Sequence, residues 1–338
     1  MTHDDFFAGV KQGDVRCVYL FEGEEEHIKG KALQALRGRL LPEGLEALNE
    51  SVLQNPSADT LIAAAETLPV MAERRLVVVR DSALLSAGKA ANEADDSQKL
   101  AGYLLHPPET ACIVFYCHKA LDGRKKLTQA LGKTAAVVTF DRLGDPALAR
   151  WMQQQLRPLG KTISYENTSF LAFTAGRDLL TLTQELAKLS AYAGDREEIG
   201  QADIEAVVTP SLECTVFQLV DALVAGKEAE AFGLLGAMLE NGEARVGILA
   251  MMARQYRNLL HLKLMAKARV PEAEIQKQLG VPPFAMRRLA AQARAADEET
   301  LASRLRLCVD TDYAIKSGKI REDAALERVM LRLCSRQS

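Results

Sequence analysis

Val18-Tyr19-Leu20-Phe21-Glu22-Gly23-Glu24-Glu25-Glu26 is a short apolar run that breaks at a glycine and continues into three acidic residues. The residues from Ile28 to Leu41 then carry helix-compatible spacing. The stretch therefore reads strand, turn, helix, the opening of a parallel α/β sheet. A phosphate-binding loop at such a turn needs backbone N–H groups wrapped around a polyphosphate, a Lys for charge neutralisation, and a Ser or Thr to hold Mg²⁺. Nothing from Val18 to Ala32 supplies G-x-x-x-x-G-K-[ST]; Gly23, Glu24, Glu25 and Glu26 put carboxylates there instead. Two readings follow: a nucleotide frame without its chemistry, or an ordinary acidic turn, since Glu in a first turn favours the helix dipole.

Working outward, Leu76 to Arg80, Ile113 to Cys117 and Val137 to Phe140 join Cys17 to Phe21 as strand candidates. Helical periods fill Ala58 to Leu68, Asp96 to Leu105 and Arg124 to Leu131. A continuous apolar strand such as Leu76-Val77-Val78-Val79 suits a sheet covered on both faces, which predicts a doubly wound α/β domain over residues 1–142. After Phe140 the strand signals stop. Asp145-Pro146 opens a helix, and Gly160, Gly176 and Gly194 punctuate a small all-α unit over 143–210. From Glu213 to Leu333 every segment has helical period, with Gly226, Asn241-Gly242, Pro271, Gly280 and Gly318 as stops. A helical bundle over 211–338 is expected. Ser86 to Asp96 is the one low-complexity stretch.

Composition narrows the function. A chain of 338 residues with a formal net charge of −3 is no polybasic nucleic-acid coat or membrane anchor. The six cysteines form no C-x-x-C and fall mostly in apolar runs, as thiols of a reducing compartment do. The five histidines form no H-E-x-x-H, so no metal site is expected. Met1 to Asp5 is acidic and lacks a charged-then-apolar leader, and no apolar stretch approaches the ~20 residues of a bilayer span. A cytoplasmic protein without a membrane partner is predicted.

Three spots decide what the chain does. The strand Leu76 to Val79 ends in Arg80-Asp81, whereas an ATP-hydrolysing motor ends that strand in an Asp-Glu pair that organises Mg²⁺ and polarises water. No catalytic residue and no cofactor is predicted. Leu68, Pro69, Val70 and Met71 lie where Pro69 ends a helix carrying Leu61, Ala65 and Leu68 on one face. Val70-Met71 is then either an apolar plug for a partner's pocket or a staple packing back on the helix end. Basic residues at Arg124, Lys125 and Lys126, and at Lys316 and Lys319, offer phosphate contacts or simply solvated helix faces. A helix-turn-helix-like pattern over Ile275 to Ala293 is embedded in the helical array rather than set apart as a small basic domain.

Taken in order, these pieces resemble one family, the δ subunits of the bacterial DNA polymerase III clamp loader. The resemblance rests on Tyr19 to Glu24, Glu66-Thr67-Leu68-Pro69 with Arg74 to Val79, and Leu121-Asp122-Gly123-Arg124-Lys125-Lys126-Leu127. It continues through Asp178-Leu179-Leu180, Glu185 to Leu189, Val216 to Leu223, Arg254-Gln255-Tyr256-Arg257 and Asp312 to Gly318. It implies an AAA+-like α/β domain without ATPase motifs, a helical lid and a helical collar. It also implies that Leu179 stands where motor subunits offer a sensor arginine, and that the Ser-Arg-Cys finger is missing after Leu121. The partners it implies are the β sliding clamp, the motor subunits (γ/τ) and δ′ through the collar, and primer-template DNA within the assembly. In that family an apolar pair at the tip matching Val70-Met71 enters the clamp's hydrophobic pocket. An active nucleotide switch and a helical DNA-binding or adaptor protein are the alternative readings.

Overall fold

The computed structural model describes residues 1–86, 93–281 and 283–334, which form two compact units, Met1–Gly144 and Asp145–Ser338. Most of the low-complexity stretch from Ser86 to Asp96 lies outside the described residues. The first unit runs α1 (His3–Gln12), β1 (Val18–Glu22), α2 (Glu26–Leu40), α3 (Glu46–Asn49), β2 (Glu50–Gln54), α4 (Ala58–Glu66) and β3 (Arg75–Arg80). It continues α5 (Glu93–Tyr103), β4 (Ala111–Tyr116), α6 (Lys126–Thr134) and β5 (Ala136–Thr139).

All five strands are parallel, in the order β2-β3-β4-β1-β5. Successive side chains on a strand point to opposite faces, and both faces are covered. Leu20, Val77, Val79, Ile113 and Phe115 share one buried cluster with Leu61 of α4, Leu100 of α5 and Leu127 of α6. On the other face the Phe6 ring of α1 meets Tyr19 and Phe21 edge-on, each with centroids 5.3 Å apart, and Phe21 packs on Phe140 at 5.0 Å. This is the doubly wound arrangement expected from the apolar strands. Two elements went unread. Strand β2 is an edge strand whose Glu50, Gln54 and half-exposed Val52 hide the apolar signal, and α1 is announced only by a Thr2–Asp5 capping box. Helix α4 also stops two residues short of the expected end. Thr67 turns extended, so Leu68 leaves the stripe of Leu61 and Ala65 and is 72% exposed.

The second unit opens with α7 (Asp145–Leu156), a 3₁₀ turn closed by Gly160, β6 (Thr162–Ile163), α8 (Tyr165–Ala175), α9 (Leu179–Ala193), β7 (Glu198–Ile199) and α10 (Gln201–Val207). The two-residue strands β6 and β7 pair in parallel, an addition to the helices read from the sequence. There follow α11 (Leu212–Val224), α12 (Glu228–Glu240), α13 (Arg245–Lys267), α14 (Glu272–Leu279), α15 (Pro283–Ala295), α16 (Glu298–Lys316) and α17 (Glu322–Cys334). One core joins them: Leu219, Val220, Met252, Tyr256 and Leu259 pack with Ile275, Leu289, Leu301, Cys308 and Met330. Ile275, Leu289 and Ala293, the apolar positions of the helix-turn-helix-like pattern, are all spent in that core. All six cysteines are free thiols. No single helix among the described residues is long and apolar enough to cross a membrane.

Phe21 is fully buried among four other rings, those of Phe6, Tyr19, Tyr116 and Phe140. Truncating it in Phe21→Ala is expected to lower stability by about 3–5 kcal/mol, measured by urea unfolding followed through a probe in the first unit.

Candidate functional site

The first unit carries two distinct features, one at each end of its sheet. The turn after β1 lies at the C-terminal ends of the strands, where open α/β sheets hold their ligands. The connection from α4 to β3 lies at their N-terminal ends, a strand length or roughly 20 Å away.

At the C-terminal end, Gly23 sits at φ +108°, and a Cβ there would come within 2.3 Å of the Phe140 carbonyl oxygen. Only glycine lets the turn lie so close on the end of β5. Two N–H groups of the turn are used internally: Glu25 N–H donates to Phe140 C=O at 2.8 Å and Glu26 N–H to Glu24 C=O at 3.0 Å. Lys29 stands six residues after Gly23, the spacing of a phosphate-loop lysine, although Ile28 and Gly30 break the motif around it. The sequence reading passed over this lysine. Its side chain is 0% exposed, and its Nζ donates to Gly23 C=O at 2.7 Å, Glu26 Oε1 at 2.6 Å and Cys117 C=O at 2.8 Å. The three glutamates thus do different work from a shared repulsion. Glu24 pairs with Arg142 at 2.9 Å, Glu25 is buried, and Glu26 supplies the anion that Lys29 faces.

Glu26 is tied further into the sheet. Its Oε2 accepts from the Tyr116 hydroxyl at 2.9 Å and lies 3.5 Å from His118 Nε2, while His118 Nδ1 is 2.8 Å from Asp81 Oδ1. Burial, joined by the Glu26 carboxylate, pushes the Tyr116 phenol well above its ordinary pKa and keeps it a donor. Burial also acts to raise Asp81, but the bonds from Gln54 and His118 outweigh it and hold that carboxyl below its usual range. Asp81 is thus engaged by neighbouring side chains at the place where a motor would bind Mg²⁺. Leu179 is fully buried at the start of α9, in the second unit. Among the described residues no group of three or more His, Cys, Asp and Glu is arranged to hold a metal ion.

At the opposite end, residues 67–74 link α4 to β3 and present apolar side chains to solvent. Met71 is 86% exposed and Val70 43%. Met71 also has φ +51°, in the left-handed region that costs a side chain with a Cβ. The base of the connection is fastened: Arg74 donates to Val15 C=O at 2.7 Å, and buried Arg75 donates to Ser51 Oγ at 2.9 Å. Leu48 and Val52, beside the same end of the sheet, are each more than half exposed. They escaped notice along with β2.

Within each unit most of the basic candidates have a local partner. Arg124 forks onto Asp122, with Nε to Oδ1 and Nη2 to Oδ2 both at 2.9 Å, and this pairing pulls the Asp122 carboxyl down to about 2. Lys125 donates to Ala83 C=O, and Lys126 is exposed at the start of α6. In the second unit Lys316 pairs with Asp312 at 2.7 Å, and Lys319 lies 5.5 Å above the Tyr313 ring.

Comparison with known proteins bears on both units. The family model for DNA polymerase III, delta subunit, matches residues 19–141, and that for the C-terminal domain of the same subunit matches 213–333. DNA polymerase III subunit delta of Bacillus subtilis is 30% identical over 336 residues, spanning 98% of this chain and 97% of the relative. The subunit of the same name from Escherichia coli is 23% identical over 331 residues, spanning 95% and 92%. The solved structure of the Bacillus subtilis DNA clamp loader delta protein aligns with a TM-score of 0.62 over 99% of this chain and 100% of that one. The resemblance read from the sequence is borne out along almost the whole length: the chain belongs to the family of DNA polymerase III clamp-loader δ subunits.

Proposed function

We propose that the chain binds the β sliding clamp through Leu68, Pro69, Val70 and Met71 and helps open it for loading onto primed DNA, without hydrolysing ATP. The observation that carries this reading is the apolar tip: Leu68 is 72% and Met71 86% exposed on a connection fastened at its base. A side chain packed back on α4 as a staple would be buried. Burying two such side chains contributes roughly 3–6 kcal/mol at ~1.5–3 kcal/mol each. Because Val70 is already half covered, the lower part of that range applies. Binding drives a ring open only insofar as the tip prefers the open shape, so the useful energy is the difference between the two states.

The turn after β1 supports a non-catalytic role. A triphosphate arriving there meets a lysine already neutralised by Glu26 and N–H groups already donated. Residues 143–210 would then serve as a lid that senses no nucleotide, and 211–338 as the collar that joins the motor subunits (γ/τ) and δ′. Any DNA contact through Arg124 or Lys316 has to compete with Asp122 or Asp312 for the cation, whereas Lys126 and Lys319 are better placed for phosphate. Replication in the cytoplasm is the setting this role requires.

In a titration against the β clamp, Val70→Ala combined with Met71→Ala is expected to weaken binding by about 2–3 kcal/mol, roughly 30- to 150-fold. Unchanged affinity in the double variant would sink the assignment of the tip. Labelled ATP at millimolar concentration is expected to show no saturable binding to the purified chain; a measurable, Mg²⁺-dependent affinity would favour an active nucleotide switch instead. Glu26→Ala leaves the Lys29 charge with two carbonyls and no counter-ion. Because the Glu26 side chain is 46% exposed, the cost is expected to fall below the range for a fully buried pair, at about 1–2 kcal/mol of stability, read from the shift in denaturant midpoint.

A further inference from the structure

Asn49 ends the short helix α3 and is 0% exposed, although its side chain is a primary amide. A buried amide has to place two donors and an acceptor. Asn49 places them twenty-one residues away in the chain: Oδ1 accepts from Val70 N–H at 2.7 Å, and Nδ2 donates to Val70 C=O at 2.9 Å. The second Nδ2 hydrogen goes to Leu45 C=O at 3.1 Å. One side chain thus closes a two-bond rung on one residue of the tip, as a neighbouring strand would. The orientation of the amide follows from its partners, because the reversed amide would set NH₂ against the Val70 N–H.

The residue held this way is the one before the strained position. With Val70 fixed through both of its backbone groups, the chain turns at Met71 through φ +51° and sends the Met71 side chain outward. A methionine pays for that conformation only where its surroundings enforce it. The substitutes fail for identifiable reasons. Alanine leaves the Val70 N–H and C=O without partners, and aspartate, having only acceptors, would face the Val70 carbonyl with like charge.

We propose that Asn49 is the positioning residue of the apolar tip, holding Val70 and Met71 in the shape that enters the clamp; this rests on the clamp-binding reading given above. Asn49 itself touches no partner. It acts by removing the ordering that a loose connection would undergo on binding, so its loss is felt only when the tip's side chains are there to be ordered.

The test is a double-mutant cycle on the full chain, titrated against the β clamp, with Asn49→Ala, Val70→Ala/Met71→Ala, and the triple variant. Amide hydrogen exchange at Val70 is followed in each. Asn49→Ala is expected to weaken binding by about tenfold, to accelerate exchange at Val70, and to add no further loss in the Val70→Ala/Met71→Ala background. An equal tenfold loss in both backgrounds would show general damage to the fold and overturn the proposal, as would full affinity in Asn49→Ala while Val70→Ala/Met71→Ala binds weakly. If instead Val70→Ala/Met71→Ala binds as tightly as the parent, the clamp-binding reading of the tip has failed, whatever Asn49 does. Where Asn49→Ala folds poorly, Asn49→Ser serves as the second variant; it brings no charge, its short hydroxyl cannot bridge both Val70 backbone groups, and the same absence of additivity is expected.

Discussion

A lysine ammonium with no access to water has to be met by oxygens, and the C-terminal end of the first sheet is built around meeting it. Lys29 draws on three sources at once: the turn after β1 through Gly23, the start of α2 through Glu26, and the end of β4 through Cys117. A charge left unpaired in that position would cost several kcal/mol. The bonds therefore fix the turn after β1 and the first turn of α2 against the end of β4. Tyr116, His118 and Asp81 extend the same network to the end of β3. The turn after β1 is closed by the protein's own carboxylate.

The alternation of apolar strands with helical periods was legible because β1, β3 and β4 are buried on both faces and admit little but Val, Ile, Leu and aromatic residues. What stayed hidden lies at the margins. Strand β2, on the sheet edge, needs no continuous apolar run, and its Glu50 is occupied with Arg37 instead. Lys29 was overlooked because a motif search weighs the residues around a lysine, whereas its burial depends on Cys117, eighty-eight positions away. The tip was legible through Pro69 and the two apolar residues after it. Its fastening was not, since no periodicity or spacing announces that Asn49 reaches Val70. The basic run Arg124-Lys125-Lys126 reads as one patch, and the local partners of Arg124 and Lys125 within it carry no sequence signal.

The two ends of the sheet obey the same physical rule by opposite means. At the C-terminal end Lys29, Glu26, Tyr116 and Asp81 all find partners within the chain. At the N-terminal end Asn49 takes up the Val70 backbone groups and Arg74 and Arg75 bond within the chain, while Leu68, Val70 and Met71 face outward. Such apolar side chains offer a partner hydrophobic contact, which is non-directional and tolerant of small shifts in shape. That suits a contact maintained while the partner changes conformation.

The strand order has a bearing on how the chain is made. β1 lies between β4 and β5, pairing Val18 with Ile113 and Tyr19 with Ala136. At about 5–20 residues per second, the ribosome delivers those partners on the order of 5–20 s after β1 itself has emerged. Throughout that interval Val18, Tyr19, Leu20 and Phe21 have no neighbouring strand, and the centre of the sheet is unavailable as a template. The first unit is therefore assembled late, with the apolar strand β1 dependent on helices α1 and α2 or on a chaperone for cover until β4 arrives.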